Sequence, residues 1–204
     1  GFSKFPDAVA CGGRQLLPQD AEEFEKKVYL FMKKVGFITD YMNKRGEDIV
    51  EVNHNPSCNV IYKKDVFLQN GGFLEGLWPG EDVELDYRLK RKGYKMLFNP
   101  RAIVYHYKPK NMVDFSKMMY RYGKAQGVLV RKYGLFRKIQ FIPVLCILFL
   151  VLGFLSIIFG FFLYMIISGL FLLLIYFRFK LSLVQLGING FFSWNAGFIR
   201  GIFN

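Results

Sequence analysis

Residues 80–98 read GEDVELDYRLKRKGYKMLF and hold a predicted helix, its end and a strand in one run. Glu81–Lys92 is predicted to be helical, because acids in a first turn and bases in a last turn complement the helix dipole. Gly93 is predicted to end this helix, since glycine adopts the left-handed conformation common at helix C-termini. Tyr94–Phe98 follows as a predicted strand. Helices that alternate with strands indicate an α/β layer structure.

The same alternation extends to both sides of this run. The predicted strands are Ala8–Cys11, Asn59–Tyr62, Tyr94–Phe98 and Ala102–Tyr107, and the other predicted helices are 20–35 and Lys64–Gln69. We expect Asp20 to be the N-cap of the first helix, Glu23 its capping-box partner and Gly36 its end. We also expect glycine pairs to end the first strand and the short helix, and Asn99-Pro100 to separate the last two strands.

The net charge of +12 is unevenly distributed along the 204 residues. All 16 acidic residues lie at or before Asp114, where 18 of the 28 basic residues also lie. Residues 115–138 add seven bases and no acid, and only three bases follow. With 52% hydrophobic residues the chain is not intrinsically disordered. The excess charge sits beside an apolar tail, so it predicts contact with a lipid surface and no nucleic-acid partner.

Residues 139–204 are predicted to be a membrane tail. No charged residue occurs in the 39 positions from Ile139 to Phe177, and one span needs about 20 apolar residues. We therefore predict two helical spans in 139–177, with a turn near Gly153–Gly160, and a third span in 181–203 that is less apolar. Lys and Arg residues on both flanks of 139–177 predict that both ends of this hairpin, and the catalytic part before it, face the cytoplasm. The chain is thus predicted to be a multi-pass protein of the cytoplasmic (inner) membrane.

Residues 115–138 are predicted to form a basic amphipathic segment at the membrane interface. Apolar residues recur at helical spacing from Phe115 to Leu129, while Lys117, Arg121 and Lys124 share another face. Such a helix lies in the headgroup plane of an anionic bilayer. Gly123 and Gly127 weaken it as an isolated helix. The alternative interpretation is the solvated face of a globular helix.

Three groups between residues 59 and 106 could carry chemistry. Glu81 and Asp82 stand at a helix start, where a carboxylate stays ionised and can accept a proton from a hydroxyl. Gly71-Gly72-Phe73 is a turn that lets backbone approach a ligand. His106, at a strand end, could ligate a metal or contact a phosphate. Each also has a purely structural interpretation: favourable helix design, a helix C-cap and a surface histidine.

The order and spacing of these segments favour the functional interpretation. The chain carries NVIYKK at 59–64, GGFLE at 71–75, GEDVELDYRL at 80–89, GYKM at 93–96, Asn99-Pro100 and VYH at 104–106. Near its C-terminus it carries WNAGFIRG at 194–201, which is similar to a W-x-x-G-F-x-x-G motif. Together these resemble the C-terminal half of family 2 glycosyltransferases of the GT-A (Rossmann-like) fold, most closely membrane-associated members of the succinoglycan-biosynthesis type. The resemblance covers roughly residues 5–204.

The resemblance implies a role for each matching residue. Asp82 matches the base that deprotonates the acceptor hydroxyl, and Glu81 matches the acid before it. Gly71, Gly72 and Phe73 match the loop beside the acceptor and the donor phosphates, and Asn59 matches a polar position before that loop. His106 matches a histidine that completes a metal site in many GT-A enzymes. Arg121 matches the arginine of Q-x-x-R-W, a motif of processive relatives.

The implied reaction is an inverting transfer of one sugar from a nucleotide-sugar donor to a glycan or lipid-linked acceptor, in cell-surface polysaccharide synthesis. A single transfer is expected because Met118 and Tyr122 stand where processive relatives carry glutamine and tryptophan. The cofactor implied is Mg²⁺ or Mn²⁺. Its main ligands, a D-x-D motif, are expected in an N-terminal half that precedes Gly1 in the family, so we expect the chain by itself not to transfer sugar.

Two other functions stay open at this stage. The chain could be a non-enzymatic membrane-anchored binding or scaffold protein that retains half of the fold. It could also be a small membrane transport or assembly protein, although such proteins need ionisable groups within their spans and Ile139–Phe177 has none. The reading frame upstream of Gly1 would separate the enzyme from the scaffold.

Overall fold

The computed structural model describes residues 2–35, 37, 48–159, 162–178 and 181–203. The chain divides into two compact units, Gly1–Asp114 and Phe115–Asn204. The first unit is a mixed α/β structure, and the second is helical. The α/β class predicted for the first part is therefore confirmed, and it is compatible with a GT-A-type domain. Each unit is described by itself below.

The strands of the first unit form one mixed sheet in the order β2-β4-β1-β3. They are β1 (Ala8–Leu16), β2 (Val50–Val52), β3 (Val60–Tyr62) and β4 (Lys95–Tyr105). The long strands β1 and β4 pair in parallel at the centre, and the short strands β2 and β3 pair antiparallel at the edges. The central strands are the most deeply buried, with Ala8, Ala10, Met96 and Phe98 almost inaccessible to solvent.

The helices of the first unit are α1 (Glu23–Lys34), α2 (Lys64–Gln69) and α3 (Glu81–Arg91). Each of the two longer helices buries an apolar stripe at helical spacing, with Val28, Phe31 and Met32 on α1 and Leu85 and Leu89 on α3. The bounds of α2 match the prediction, and α3 ends one residue earlier than predicted. The C-cap of α2 is Asn70, as predicted, whereas that of α3 is Lys92 and not Gly93.

Strand β1 does not end at its glycines, contrary to the prediction. It continues through Gly12 and Gly13 to Leu16. A Cβ atom on Gly12 would lie 2.1 Å from Asn55 Oδ1, and one on Gly13 would lie 2.0 Å from the carbonyl oxygen of Ala102. These glycines therefore permit a close approach of neighbouring groups instead of forming a turn.

The two strands predicted on either side of Asn99-Pro100 are one strand, β4. The pairing with β1 jumps from Gly13–Asn99 to Arg14–Ile103, so residues 100–102 bulge out of the ladder. Pro100 has no backbone N–H to donate, and a bulge is where a strand tolerates such a residue. The sequence correctly located the irregularity, but the strand continues past it.

The cap of α1 lies two residues further along the chain than predicted. Glu22 and Glu25 form the capping box, in which the Glu22 N–H donates to Glu25 Oε2 at 3.0 Å. Asp20, the predicted N-cap, instead accepts hydrogen bonds from the Tyr107 hydroxyl at 2.7 and 2.9 Å. Gly36, the predicted end, lies outside the described residues. The three-residue spacing was correct, but several acids in this run satisfy it.

The second unit consists of helices. They are α4 (Met112–Tyr133, whose first residues precede the unit boundary), α5 (Phe141–Phe159), α6 (Phe162–Arg178) and α7 (Leu181–Phe203). Helix α5 passes through Gly153 without a break and ends at Phe159, so the turn predicted near Gly153–Gly160 does not begin at Gly153. Gly160 itself lies outside the described residues. The Tyr164 ring of α6 packs on the Phe149 ring of α5, with centroids 5.4 Å apart.

Helices α4 and α7 run in the same direction and touch through glycines. A Cβ atom on Gly123 would lie 1.9 Å from the Trp194 carbonyl oxygen, and one on Gly127 would lie 2.2 Å from that of Phe198. Gly197 and Gly201 of α7 face the carbonyls of Tyr120 and Lys124 just as closely, at 2.0 Å. Two G-x-x-x-G stripes therefore meet, the arrangement that lets helix backbones approach each other. Gly123 and Gly127 do not weaken α4 in this structure; they form its contact with α7.

One helical segment within the described part of the chain, Lys138–Ile158, is long and apolar enough to cross a membrane, with a mean hydropathy of 3.0. Only 12% of it is buried. Large apolar side chains such as Leu150, Phe154 and Ile157 are 66–72% exposed. The second and third predicted spans, and the membrane itself, stay predictions.

Candidate functional site

Asp82 is the second residue of α3, whose N-cap is Gly80 with a φ of 113° that only glycine adopts readily. Its Oδ2 accepts a hydrogen bond from the Ser57 N–H at 2.8 Å, and its Oδ1 accepts one from the Val83 N–H at 2.7 Å. The side chain is nevertheless partly exposed. Because a carboxylate has about four acceptor positions, Asp82 is held in place and can still accept a hydrogen bond from a ligand hydroxyl.

Glu81 lies beside Asp82 and has one unused acceptor. Its Oε2 is buried and has no hydrogen-bond partner among the described residues. A buried carboxylate oxygen without a donor is costly, so a donor from a bound ligand would be favourable there. Glu81 and Asp82 together present acceptors for hydroxyl groups.

One helical turn beyond Asp82, Asp86 is completely buried and accepts three hydrogen bonds. Its donors are His54 Nδ1 at 2.9 Å, the Asn55 N–H at 2.8 Å and the Tyr62 hydroxyl at 2.8 Å. Burial, together with the Asp86 carboxylate, raises the pKa of Tyr62, so this hydroxyl stays protonated and donates. Asp82 and Asp86 thus hold the main chain of residues 54–57 at two points.

Glu84 and Arg88 tie α3 to the glycine turn at residues 70–72. Glu84 is buried, and its carboxylate pairs with the Arg88 guanidinium at 2.7–2.9 Å. The same guanidinium donates to the carbonyl oxygens of Asn70 and Gly72, the latter at 2.6 Å. A planar group with five donors suits this bridging position. Helix α3 therefore positions both the Asp82 carboxylate and the turn.

The turn itself requires glycine. Gly71 and Gly72 have φ values of 78° and 61°, which side chains with a Cβ rarely adopt. Phe73 follows the turn and is 39% exposed. Its ring packs edge-on against Phe67 and Tyr62, with centroids 5.1 and 6.2 Å apart. The turn leaves an aromatic face open to a ligand.

The Asn59 side chain mainly stabilises the sheet through hydrogen bonds. Its Nδ2 donates to the carbonyl oxygens of Arg14 and Ala102, both at 3.0 Å, across the bulge in β4. The residue also lines a cavity of about 330 Å³ together with Cys11, Cys58 and Asn99, among others. Both hydrogens of its amide nitrogen are used, so only the amide oxygen is available to a ligand, and its substrate-binding role stays a prediction.

His106 lies just beyond the end of β4, and its Nδ1 is 3.4 Å from Lys108 Nζ. Burial, with the Lys108 charge second, lowers the pKa of His106. Burial also lowers the pKa of Lys108, and it raises the pKa of the neighbouring Cys58 thiol. No group of three His, Cys, Asp or Glu in the described ranges could hold a metal ion. The predicted metal ligand thus has an ammonium group beside it.

Arg121 belongs to the second unit. It lies on α4 and lines an open cavity of about 410 Å³ with Ser116, Lys117, Tyr120 and Ser193. This cavity is basic, which suits an anionic ligand. The predicted role of Arg121 in substrate binding stays a prediction.

Comparison with known proteins assigns the chain to a family. The family model described as glycosyl transferase family group 2 matches residues 56–190, about two-thirds of the chain. The chain belongs to this glycosyltransferase family. The match includes Asn59, the glycine turn, Glu81, Asp82, His106 and Arg121. No solved structure matches the chain.

Curated relatives agree with the family assignment. The pre-mycofactocin glycosyltransferases of Mycobacterium tuberculosis strains CDC 1551 / Oshkosh and ATCC 25618 / H37Rv are each 28% identical to the chain over 82 residues. That match covers 40% of this chain and 17% of each relative. The chain therefore spans only a small part of the length of these glycosyltransferases, and its activity as an enzyme is a proposal.

The sequence did not reveal the groups that position the glycosyltransferase residues. Glu84 and Arg88 were interpreted only as helix-dipole design, and Asp86 and Lys108 were not singled out. The i,i+4 spacing of Glu84 and Arg88 was a usable signal. The partners of Asp86 were not foreseeable, because His54 and Tyr62 are 32 and 24 residues away.

Replacing Arg88 with lysine should destabilise the protein and loosen the glycine turn. A lysine can keep the charge beside Glu84 but cannot bridge it to two carbonyl groups, so we expect the free energy of unfolding to fall by about 1–3 kcal/mol. Arg91→Lys is the matched control, because Arg91 is exposed on the same helix and lies only over the Tyr87 ring. Thermal unfolding in detergent compares the two; equal midpoints would contradict the bridging role.

Proposed function

We propose that the protein is a membrane-anchored glycosyltransferase that moves one sugar from a nucleotide-sugar donor to an acceptor hydroxyl with inversion. The observation that carries this proposal is the Asp82 carboxylate. It is partly exposed, fixed by the Ser57 and Val83 N–H groups, and linked through its own helix to the glycine turn. A general base needs this combination of fixed geometry and access.

In the proposed reaction, the acceptor hydroxyl donates a hydrogen bond to Asp82. The acceptor oxygen attacks the anomeric carbon from the face opposite the diphosphate. The bond to the diphosphate breaks as the new glycosidic bond forms, and Asp82 takes the hydroxyl proton. Glu81, with its unused buried oxygen, orients a second hydroxyl of the acceptor. Such positioning contributes by holding the reacting atoms in line.

The described residues around His106 do not fit a divalent cation. The Lys108 ammonium lies 3.4 Å from the His106 Nδ1, and no group of three His, Cys, Asp or Glu that could hold a metal ion is found in the described part of the chain. The Mg²⁺ or Mn²⁺ implied by the family resemblance would need its ligands elsewhere. We therefore assign no step of the reaction to a metal bound by these residues.

The proposed location is the cytoplasmic membrane, with the first unit on the cytoplasmic side. Support comes from the exposed apolar side chains of 138–158 and from the bases that precede this segment. Lys and Arg flanks favour the cytoplasmic side, and anionic headgroups attract them. A membrane-anchored enzyme suits a lipid-linked glycan acceptor, such as a polyprenyl-diphosphate sugar.

The test is sugar transfer by carbonate-washed membranes from cells that express the complete gene product. Membranes are incubated with a panel of labelled nucleotide sugars and extracted with organic solvent. We expect label from one donor in the extract, and none from membranes that lack the gene. If the protein stays in the washed membranes but no donor yields product, the scaffold alternative is favoured.

A further inference from the structure

The segment after β4 is fastened at several points. The His106 N–H donates to the Leu16 carbonyl at 2.9 Å, and the Lys108 N–H donates to buried Glu25 at 3.1 Å. The Lys110 ammonium pairs with Glu22 at 3.0 Å. Since these anchors lie on both sides of Lys108, its backbone is fixed before any ligand arrives.

The Lys108 ammonium is an uncompensated charge in this fastened segment. It is partly buried, and no carboxylate in the described part of the chain pairs with it. The surface lysines Lys90 and Lys110 differ, because each pairs with a glutamate. A partly desolvated cation without a partner is unfavourable, and an anion that binds there relieves the cost.

The neighbouring His106 side chain is, like Lys108, a hydrogen-bond donor toward a ligand. An ammonium group has only hydrogens to offer, so the 3.4 Å contact with Lys108 favours the tautomer in which the His106 Nδ1 is the acceptor. A neutral imidazole that accepts at Nδ1 carries its proton on Nε2. Nε2 is then a hydrogen-bond donor and has no lone pair for a metal ion. Lys108 and His106 therefore both present hydrogens to a ligand.

The position of this pair relative to the base completes the argument. The Cys58 thiol interacts electrostatically with both Lys108 and Asp82. The adjacent Ser57 N–H is bonded to the Asp82 carboxylate. Asn59 of the same segment donates to the carbonyl oxygens of Arg14 and Ala102, near the end of the β1–β4 ladder where the His106 N–H donates to Leu16. The segment that holds the base thus meets the same edge of the sheet as the pair, where fixed positive groups stabilise the charge that develops on a departing group.

We infer that His106 and Lys108 form a binding site for a phosphate or diphosphate group, in place of a metal site. The inference rests on the proposed function for its role: the group bound there would be the diphosphate that leaves the donor. The shared chemistry also fits the diphosphate headgroup of a lipid-linked acceptor. Lysine binds such oxygens as a point charge, and the imidazole adds a directed hydrogen bond.

The test uses the purified chain in detergent with EDTA and labelled pyrophosphate, followed by equilibrium dialysis. Lys108→Gln should weaken binding about 10- to 100-fold, and His106→Phe about tenfold, because each removes a hydrogen bond to a charged group. Lys108→Arg should bind within about threefold of the unchanged chain. Lys110→Gln is the matched control, since Lys110 already pairs with Glu22, and it should bind normally.

Two results would overturn the inference. One is unchanged pyrophosphate binding by Lys108→Gln that is still folded by circular dichroism. The other is Mn²⁺ binding, with EDTA omitted, that His106→Phe abolishes and Lys108→Gln does not.

Displacement of pyrophosphate by UDP or GDP would assign the site to the donor. Displacement only by vesicles that contain phosphatidic acid would assign it to a lipid headgroup. Asp82→Asn should leave pyrophosphate binding intact. If this variant still transferred sugar, the role of Asp82 as base would be wrong, but the pyrophosphate site would be unaffected.

Discussion

Asp82→Asn should lower kcat for sugar transfer by about 10²–10⁴-fold, the contribution typical of a general base. Asparagine has nearly the same shape, and its amide oxygen can still accept the hydrogen bond that the Ser57 N–H donates to Asp82. Its NH2 group cannot replace the second oxygen as acceptor for the Val83 N–H, so we expect a small loss of stability beside the loss of activity. The amide cannot take up a proton at neutral pH. We therefore expect a folded protein with nearly unchanged donor binding that is deficient in the chemical step.

The matched control is Asp65→Asn. Asp65 also lies in the first turn of a helix, but it is exposed and makes none of the contacts seen at Asp82. Its substitution should leave kcat within about twofold, as expected for a surface position. Both variants are assayed in membranes that contain the complete gene product. Equal kcat values for Asp82→Asn and the unchanged protein would refute the role of Asp82 as base.

Gly197→Ala should destabilise the second unit by about 3 kcal/mol, although alanine is the better helix former. The added Cβ would lie 2.0 Å from the Tyr120 carbonyl oxygen and 2.9 Å from the Lys124 nitrogen. Both are backbone atoms, so the clash cannot be relieved by a side-chain rotation, and α4 and α7 must separate.

Trp194 reports on this separation. Trp194 is 3% exposed and its carbonyl faces Gly123 of α4, whereas Trp78, the other tryptophan, is 70% exposed. Gly197→Ala should lower the thermal midpoint in detergent and shift tryptophan emission to longer wavelength. Gly169→Ala on α6 is the control, because its Cβ would have no heavy atom within 4 Å. If both variants unfold at the same temperature, the close contact does not stabilise the protein.

The sequence predicted elements whose signals are local and missed those that depend on distant contacts. Helices α2 and α3 are bounded by glycines and charged turns that act within a few residues, and both were found. The predicted end of β1 was wrong because Gly12 and Gly13 are required by the close approach of Asn55 and Ala102, which lie far along the chain. The three residues of β2 carry too short a pattern to be recognised alone.

The candidate site divides in the same way. Asp82 and the glycine turn have local signatures, a helix start and a pair of glycines, and their spacing matched the family. The functions of Asp86 and Lys108 depend on groups from other elements, namely His54, Tyr62 and His106. A buried aspartate and an exposed one look alike in a sequence, so only the fold separates a positioning group from a solvated charge.

The glycines of β1 carry an evolutionary consequence. Gly12 has room only for hydrogen because Asn55 fills the space beside it, and Gly13 is confined in the same way by Asn59 and Ala102. A larger residue at position 12 is acceptable only if position 55 becomes smaller in the same lineage. Positions 12 and 55, and positions 13 and 59, should therefore change together across the family. Such paired changes would trace which members keep the 54–57 segment in the arrangement that holds Asp82.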